Sequence, residues 1–115
     1  MLEQYAWVAE FPGTITVCDP EGVILEMNAR AVQAFQEQGG AQLIGTNLLD
    51  CHPEPSRTKL VQLLETRQPN IYTTEKQGVH KLVYQSPWFA AGKYAGLIEL
   101  VVEIPARLPH FVRDD

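Results

Sequence analysis

The stretch "AGLIELVVEI", residues 95–104, most restricts what this chain can fold into. It is long, β-branched and nearly free of polar residues, and it follows a turn signal, "AAGKY". That pattern predicts a strand of a sheet covered on at least one side. Side chains of a strand alternate between faces, so Ile98, Leu100, Val102 and Ile104 share one face. These four are expected to point into the core. Glu99 and Glu103 share the opposite face with Leu97 and Val101, and the glutamate pair reads most simply as a solvated strand face. Leu97 and Val101 leave this outer face partly apolar, which favours something packing on it.

Such a strand needs partners, and the chain supplies four. "TITVCD" alternates, with Ile15 and Val17 expected inward and Thr14, Thr16 and Cys18 outward. "DPEG", Asp19 to Gly22, is a turn with proline at its second position, and "VILEMN" returns to complete a hairpin. Further on, "NIYTTEK" reads as a short polar strand. "VHKLVYQSPWF" places His80, Leu82, Tyr84 and Trp88 on one face and Val79, Lys81, Val83 and Gln85 on the other.

Helical segments lie between the two groups of strands. Asn28 is a good N-cap for "ARAVQAFQEQ", in which Ala31, Val32 and Phe35 share a face, and Gly39-Gly40 stops it. "AQLI" is a short helical turn. "PSRTKLVQLLETRQ" carries Leu60, Leu63, Leu64 and Arg67 at helical spacing and ends before Pro69. At the N-terminus "LEQYAWVA" predicts a short helix with Leu2, Tyr5 and Val8 or Ala9 on one side. The order is β-β-α-(short helices)-α-β-β-β. It predicts an α+β fold, a five-stranded antiparallel sheet with helices on one face. Residues 1–12 form a helix and linker, 13–104 the domain, and 105–115, "PARLPHFVRDD", an extended tail.

With 115 residues the chain is one domain. A formal charge of −5 without any Lys/Arg cluster argues against a nucleic-acid surface. The apolar runs are too short to span a membrane, and the N-terminus lacks the features of a signal peptide. A cytoplasmic location is expected, with Cys18 and Cys51 unpaired.

Three segments carry a family likeness: "ITVCDPEGVILEMNARAVQAF", "LIGTNLLDCHPEPSR" and "GKYAGLIELVVEI". Asn28, Leu43-Ile44-Gly45, His52-Pro53 and Gly92 with Gly96 stand in the order and spacing of a PAS domain, which the chain resembles over roughly residues 12 to 104. The resemblance implies a sensory or interaction module of bacterial-type signal transduction. It implies a cavity between sheet and helices for a small ligand. It also implies pairing, as a homodimer or with another PAS or signalling domain, through the outer sheet face and an N-terminal helix. No output domain fits within the chain, so it is expected to act alone or as a piece of a longer protein.

The chemical candidates follow from that likeness. His80 and Tyr84, two positions to either side of Leu82, are the expected polar anchors of the cavity, with Leu82, Phe35, Leu64 and His52 as further lining residues. Cofactor-free binding of a small molecule, or pure dimerisation, is the expected reading. Heme held by His52, His80 or Cys51, or redox switching at Cys51, is the alternative. "His52-Pro53" is otherwise a turn into the long helix, since proline pushes the residue before it into an extended conformation. A flavin photoadduct is not expected, because Leu48 stands where light-sensing PAS domains have their reactive cysteine. Zinc on Cys51, His52 and a distant His80 or His110 would be unusual, because adjacent ligands rarely reach one metal. No enzyme activity is expected. A small cavity enzyme would need Asp50 or Glu26 as base and Tyr84 as electrophile, and their spacing is not diagnostic.

Overall fold

In a computed structural model, which describes residues 5–114, the chain is a single sheet with its two longer helices packed on one face. The strands are β1 (Thr14–Cys18), β2 (Ile24–Met27), β3 (Asn70–Lys76), β4 (Val79–Ala90) and β5 (Lys93–Ile104). All pair antiparallel in the order β2-β1-β5-β4-β3, so the most apolar strand is the central one. The helices are α1 (Ala6–Ala9), α2 (Ala29–Ala34) and α3 (Ser56–Thr66). Three 3-10 turns, Gln36–Gln38, Gly40–Leu43 and Leu48–Cys51, lie between α2 and α3. The expected N-terminal helix over 2–9 is described only from Tyr5 onward, and Leu2 lies outside the described residues.

The local signals act as their chemistry dictates. Asp19 Oδ1 accepts from the N–H groups of Glu21 and Val23, which closes the turn between β1 and β2. Asn28 caps α2 by accepting from Ala31 N at 3.0 Å. Its side chain is almost wholly buried and also accepts from Ile15 N at 2.9 Å and donates to the Gly13 carbonyl at 2.9 Å. One amide thus ties the N-terminal segment, β1 and α2 together.

"GTNLLDCHPE" is a connection built against β2. Gly45 N donates to Ile24 O at 2.8 Å, and Ile24 N donates to Thr46 O at 2.9 Å. His52 is extended, as a residue before proline should be. Glu54 then takes over the capping of α3: its carboxylate accepts from the N–H and hydroxyl of Thr58 at 3.0 and 2.6 Å. Those two bonds favour the charged form and hold the Glu54 carboxyl below its ordinary pKa. Arg67 ends α3 in the left-handed region, with its guanidinium 4.3 Å from the centre of the Tyr94 ring, whose hydroxyl donates to Leu64 O.

The sheet faces are the reverse of the expectation. Cys18, Leu60, Leu64 and Leu97 form one buried cluster under α3, and Ile24, Met27 and Ala31 form another under α2, with Leu48 packed against both. Leu97, and with it Glu99 and Val101, therefore face the helices. Ile98, Leu100, Val102 and Ile104, with Ile15 and Val17, lie on the other face and are only half-buried. The strands and their alternation are as expected; their polarity relative to the helices is not. Both faces of β5 are apolar enough to be covered, and alternation alone does not say which one receives the helices.

Candidate functional site

The consequence of that reversal is a polar row on the covered face. Thr16 on β1 pairs with Glu99 on β5, Glu99 with Gln85 on β4, and Gln85 with Asn70 on β3. Four strands thus place four polar side chains in one line across the sheet. Asn70 Nδ2 donates to Gln85 Oε1 at 2.8 Å, and Gln85 Nε2 donates to Glu99 Oε2 at 2.7 Å. The Thr16 hydroxyl, at the end of the row, is buried and has no hydrogen-bond partner among the described residues. A buried hydroxyl left unpaired costs about 1–3 kcal/mol, so its retention is informative.

Above this row lies a cleft of about 390 Å³. Its floor is Asn70, Gln85 and Glu99; its roof is His52 with Leu60 and Leu63 of α3; Lys59 and Tyr72 stand on it as well. A smaller void of about 40 Å³ adjoins it, between Thr16, Leu48 and Leu97. Burial, and then the Glu99 carboxylate, push the Tyr72 phenol above its ordinary pKa.

His52 enters this cleft in a defined form. Its Nδ1 is 2.6 Å from the Leu48 carbonyl, which can only accept, so Nδ1 carries the proton. In the neutral ring Nε2 is then the acceptor. Cys51 is exposed, with its Sγ 3.4 Å from the same carbonyl and 4.0 Å from His52 Nδ1.

The six residues expected at the site separate widely. His52 lines the cleft, and Leu64 packs in the core beneath α3. His80, Leu82 and Tyr84 lie on the opposite face of the sheet, because they alternate with Val83 and Gln85. His80 Nε2 is 3.8 Å from Glu75 Oε1, its cross-strand neighbour, and Tyr84 is 39% exposed. Phe35 is exposed at the end of α2 and does not line the cleft. The sheet likewise separates Asp50, on the turn packed at the helix side, from Tyr84, whereas Glu26, the other base considered, shares the outer face with Tyr84 but stands on β2, with β1 and β5 between it and β4. Among the described residues no group of three or more His, Cys, Asp or Glu could hold a metal ion. Thr16, Gln85, Glu99 and Asn70 were missed. Their signal in the sequence was a polar residue in mid-strand, clearest at Glu99, whose neighbours Ile98 and Leu100 are both apolar.

The two thiols should differ sharply in reactivity. Burial pushes the Cys18 pKa up to about 11 from 9.0, whereas Cys51 is exposed. Iodoacetamide at pH 8 is expected to modify Cys51 alone in the folded protein, with Cys18 reacting only after denaturation, as read by mass spectrometry. Because the folded-state pKa of Cys18 is raised, its stabilising contribution is complete below pH 9 and is lost as pH rises toward 11.

The architecture can now be set beside known proteins. A sequence profile described as the PAS fold matches residues 8–108, nearly the whole chain. The chain belongs to the PAS family. Among curated proteins no sequence relative matches it. Solved PAS structures share its fold at low identity. The PAS domain of BvgS from Bordetella pertussis superposes with a TM-score of 0.66 at 19% identity, covering 92% of this chain and 87% of that one. The Aer2 receptor of Vibrio cholerae, described as a dual PAS-heme oxygen sensor, gives 0.59 at 19% identity over 80% of this chain and 94% of that one. The VqmA dimer of Vibrio cholerae gives 0.63 at 18% identity over 90% of this chain and 51% of that one. PAS domains are sensory modules of signalling proteins, histidine kinases and heme sensors among them. Among the described residues of this PAS domain no helix is long and apolar enough to cross a membrane.

Proposed function

We propose that this PAS domain is a sensor with two working faces: a cleft on the helix side that receives a small polar ligand, and an outer sheet face that pairs with a second copy or another signalling domain. The observation that carries the first is the polar row of Thr16, Glu99, Gln85 and Asn70 under His52, with one buried hydroxyl left without a partner. An apolar core would be more stable at this place, so a half-satisfied row is best explained by a ligand that completes it. VqmA, which shares the fold, has been solved bound to DPO. The test is a fragment screen followed by amide NMR. Shifts gathered on Thr16, His52, Gln85 and Glu99 support the reading, and shifts confined to the outer face overturn it. Thr16→Val is expected to raise the Tm of the free protein by about 4 °C, since it removes an unpaired hydroxyl worth roughly 1 kcal/mol. Calorimetry of the free protein checks this.

Heme is the weaker reading. His52 offers a correctly held ring, with Nδ1–H on a carbonyl and Nε2 open. The floor opposite it is a carboxylate and two carboxamides, whereas a porphyrin presents broad apolar faces. The donor fits and the walls do not.

For the second face, Ile15, Val17, Ile98, Leu100, Val102 and Ile104 form a continuous, half-buried apolar surface across the adjacent strands β1 and β5. The dimer surface therefore differs from the one the sequence suggested: Leu97 and Val101 lie under the helices. Sedimentation at high micromolar concentration is expected to show a dimer. Leu100→Glu, which places a charge in the middle of that surface, should give a monomer with an unchanged circular dichroism spectrum. A wild-type chain that stays monomeric would remove this face from the proposal.

A further inference from the structure

We infer that the cleft selects a small cationic nitrogen donor, of the amidine, guanidine or protonated-heterocycle class, and that Glu99 is the group that selects it. This rests on the ligand-binding reading of the cleft given above. Glu99 stands on the central strand, half-buried, at the middle of the polar row. Its carboxylate is held in place from one side: Gln85 donates to Oε2, and Gln85 is itself fixed by Asn70. Among the described residues no Lys, Arg or His forms an ion pair with it. A carboxylate partly withdrawn from water without a counter-charge is costly, and a cationic ligand relieves that cost.

The remaining groups fit the same class. His52, with its proton committed to the Leu48 carbonyl, brings an acceptor nitrogen in Nε2 on the facing wall. The unpaired Thr16 hydroxyl adjoins Glu99 on the same row and can accept as well. Glu99 and His52 thus offer acceptors from two walls, which a forked N–H donor satisfies and a carboxylate does not. Lys59 stands at the same cleft and would favour an anion, but it is exposed on α3 and keeps its hydration. The net charge of −5 also favours the approach of cations.

The test uses the full chain and three molecules of one shape: benzamidine, benzamide and benzoate. Benzamidine at millimolar concentration is expected to shift the amides of Thr16, Gln85 and Glu99, with an affinity roughly tenfold or more above benzamide. Glu99→Gln keeps an acceptor for Gln85 and removes the charge, so it should weaken benzamidine by a similar factor and benzamide, which carries no charge, by much less. The comparison within wild type stands even where that variant folds poorly. Benzoate or benzamide shifting these amides in preference to benzamidine would overturn the cationic class and leave the cleft as a binding site. Equal binding of benzamidine by wild type and Glu99→Gln would overturn the role of Glu99. No shift from any of the three would overturn both the class and the cleft reading.

Discussion

Asn28→Ala is expected to bring the domain close to unfolding at room temperature, with a loss of about 4 kcal/mol. Asn28 is 2% exposed, and its side chain makes three short hydrogen bonds, to Ile15 N, Ala31 N and Gly13 O, besides two longer ones to Val8 O and Phe11 O. Its removal leaves the N–H groups of Ile15 and Ala31 without their acceptor and the Gly13 carbonyl without its donor. Loss of an N-cap alone costs about 1 kcal/mol, and each further buried group left unpaired adds about 1–3 kcal/mol. A domain of this size is stable by only about 5–15 kcal/mol. Urea denaturation followed by circular dichroism should show a large fall in midpoint with little change in slope. Asn28→Asp keeps both accepted bonds but sets an oxygen against the Gly13 carbonyl, 2.9 Å away in the wild type. It should be less damaging than alanine, and most stable at acid pH, where the carboxyl is protonated and can donate. A midpoint for Asn28→Ala within experimental error of wild type would show that the three segments are held by something else.

Gly96→Ala is expected to be at least as severe, for a steric reason. A Cβ at Gly96 would lie 1.9 Å from the Cys18 carbonyl oxygen and 2.8 Å from two backbone atoms of Asp19, and φ is +136°. All three contacts are backbone, so relief requires β1 to move away from β5 at their Cys18–Leu97 pairing. The same movement would break the bond from Trp88 Nε1 to Cys18 O, now 3.0 Å. Overlap with backbone that cannot rotate away belongs with the rare single changes that cost more than about 4 kcal/mol. The measurement is soluble yield and thermal unfolding, with Trp88 fluorescence as a local report. Gly92→Ala separates the two causes: it has φ +78° and nothing within 4 Å, so it should cost only about 1–2 kcal/mol of backbone strain. Similar losses for both variants would mean that φ, and not the close approach of β1, dominates at Gly96.

Much of this fold was legible in the sequence because the signals are local. The "DPEG" turn, the Asn28 cap, the Gly39-Gly40 stop and the alternation of three segments each depend on residues within a few positions of one another, and the structure places each element within a few residues of its expected place. The His52-Pro53 step is of the same kind: the extended conformation of His52 follows from its neighbour. The order of these elements, with Gly92 and Gly96 near the start of the last strand, was enough to suggest the family.

The face of the sheet was not local. Period-two alternation sorts β5 into Leu97, Glu99 and Val101 against Ile98, Leu100 and Val102, and both sets are apolar enough to be buried. Which set meets the helices depends on how α2, α3 and the turn carrying Leu48 reach the sheet, and a choice of face moves every side chain of every strand together. The helices took the face with the polar row, and the more apolar face was left outward. The expected anchors His80 and Tyr84 followed their strand to the far side. Thr16, Asn70, Gln85 and Glu99 come from four strands and meet only through pairing, so no stretch of sequence contains them. The sequence determined which segments become strands and helices, since those choices are made between near neighbours. The tertiary structure alone decided which residues share a site, since that depends on register and face across the whole sheet.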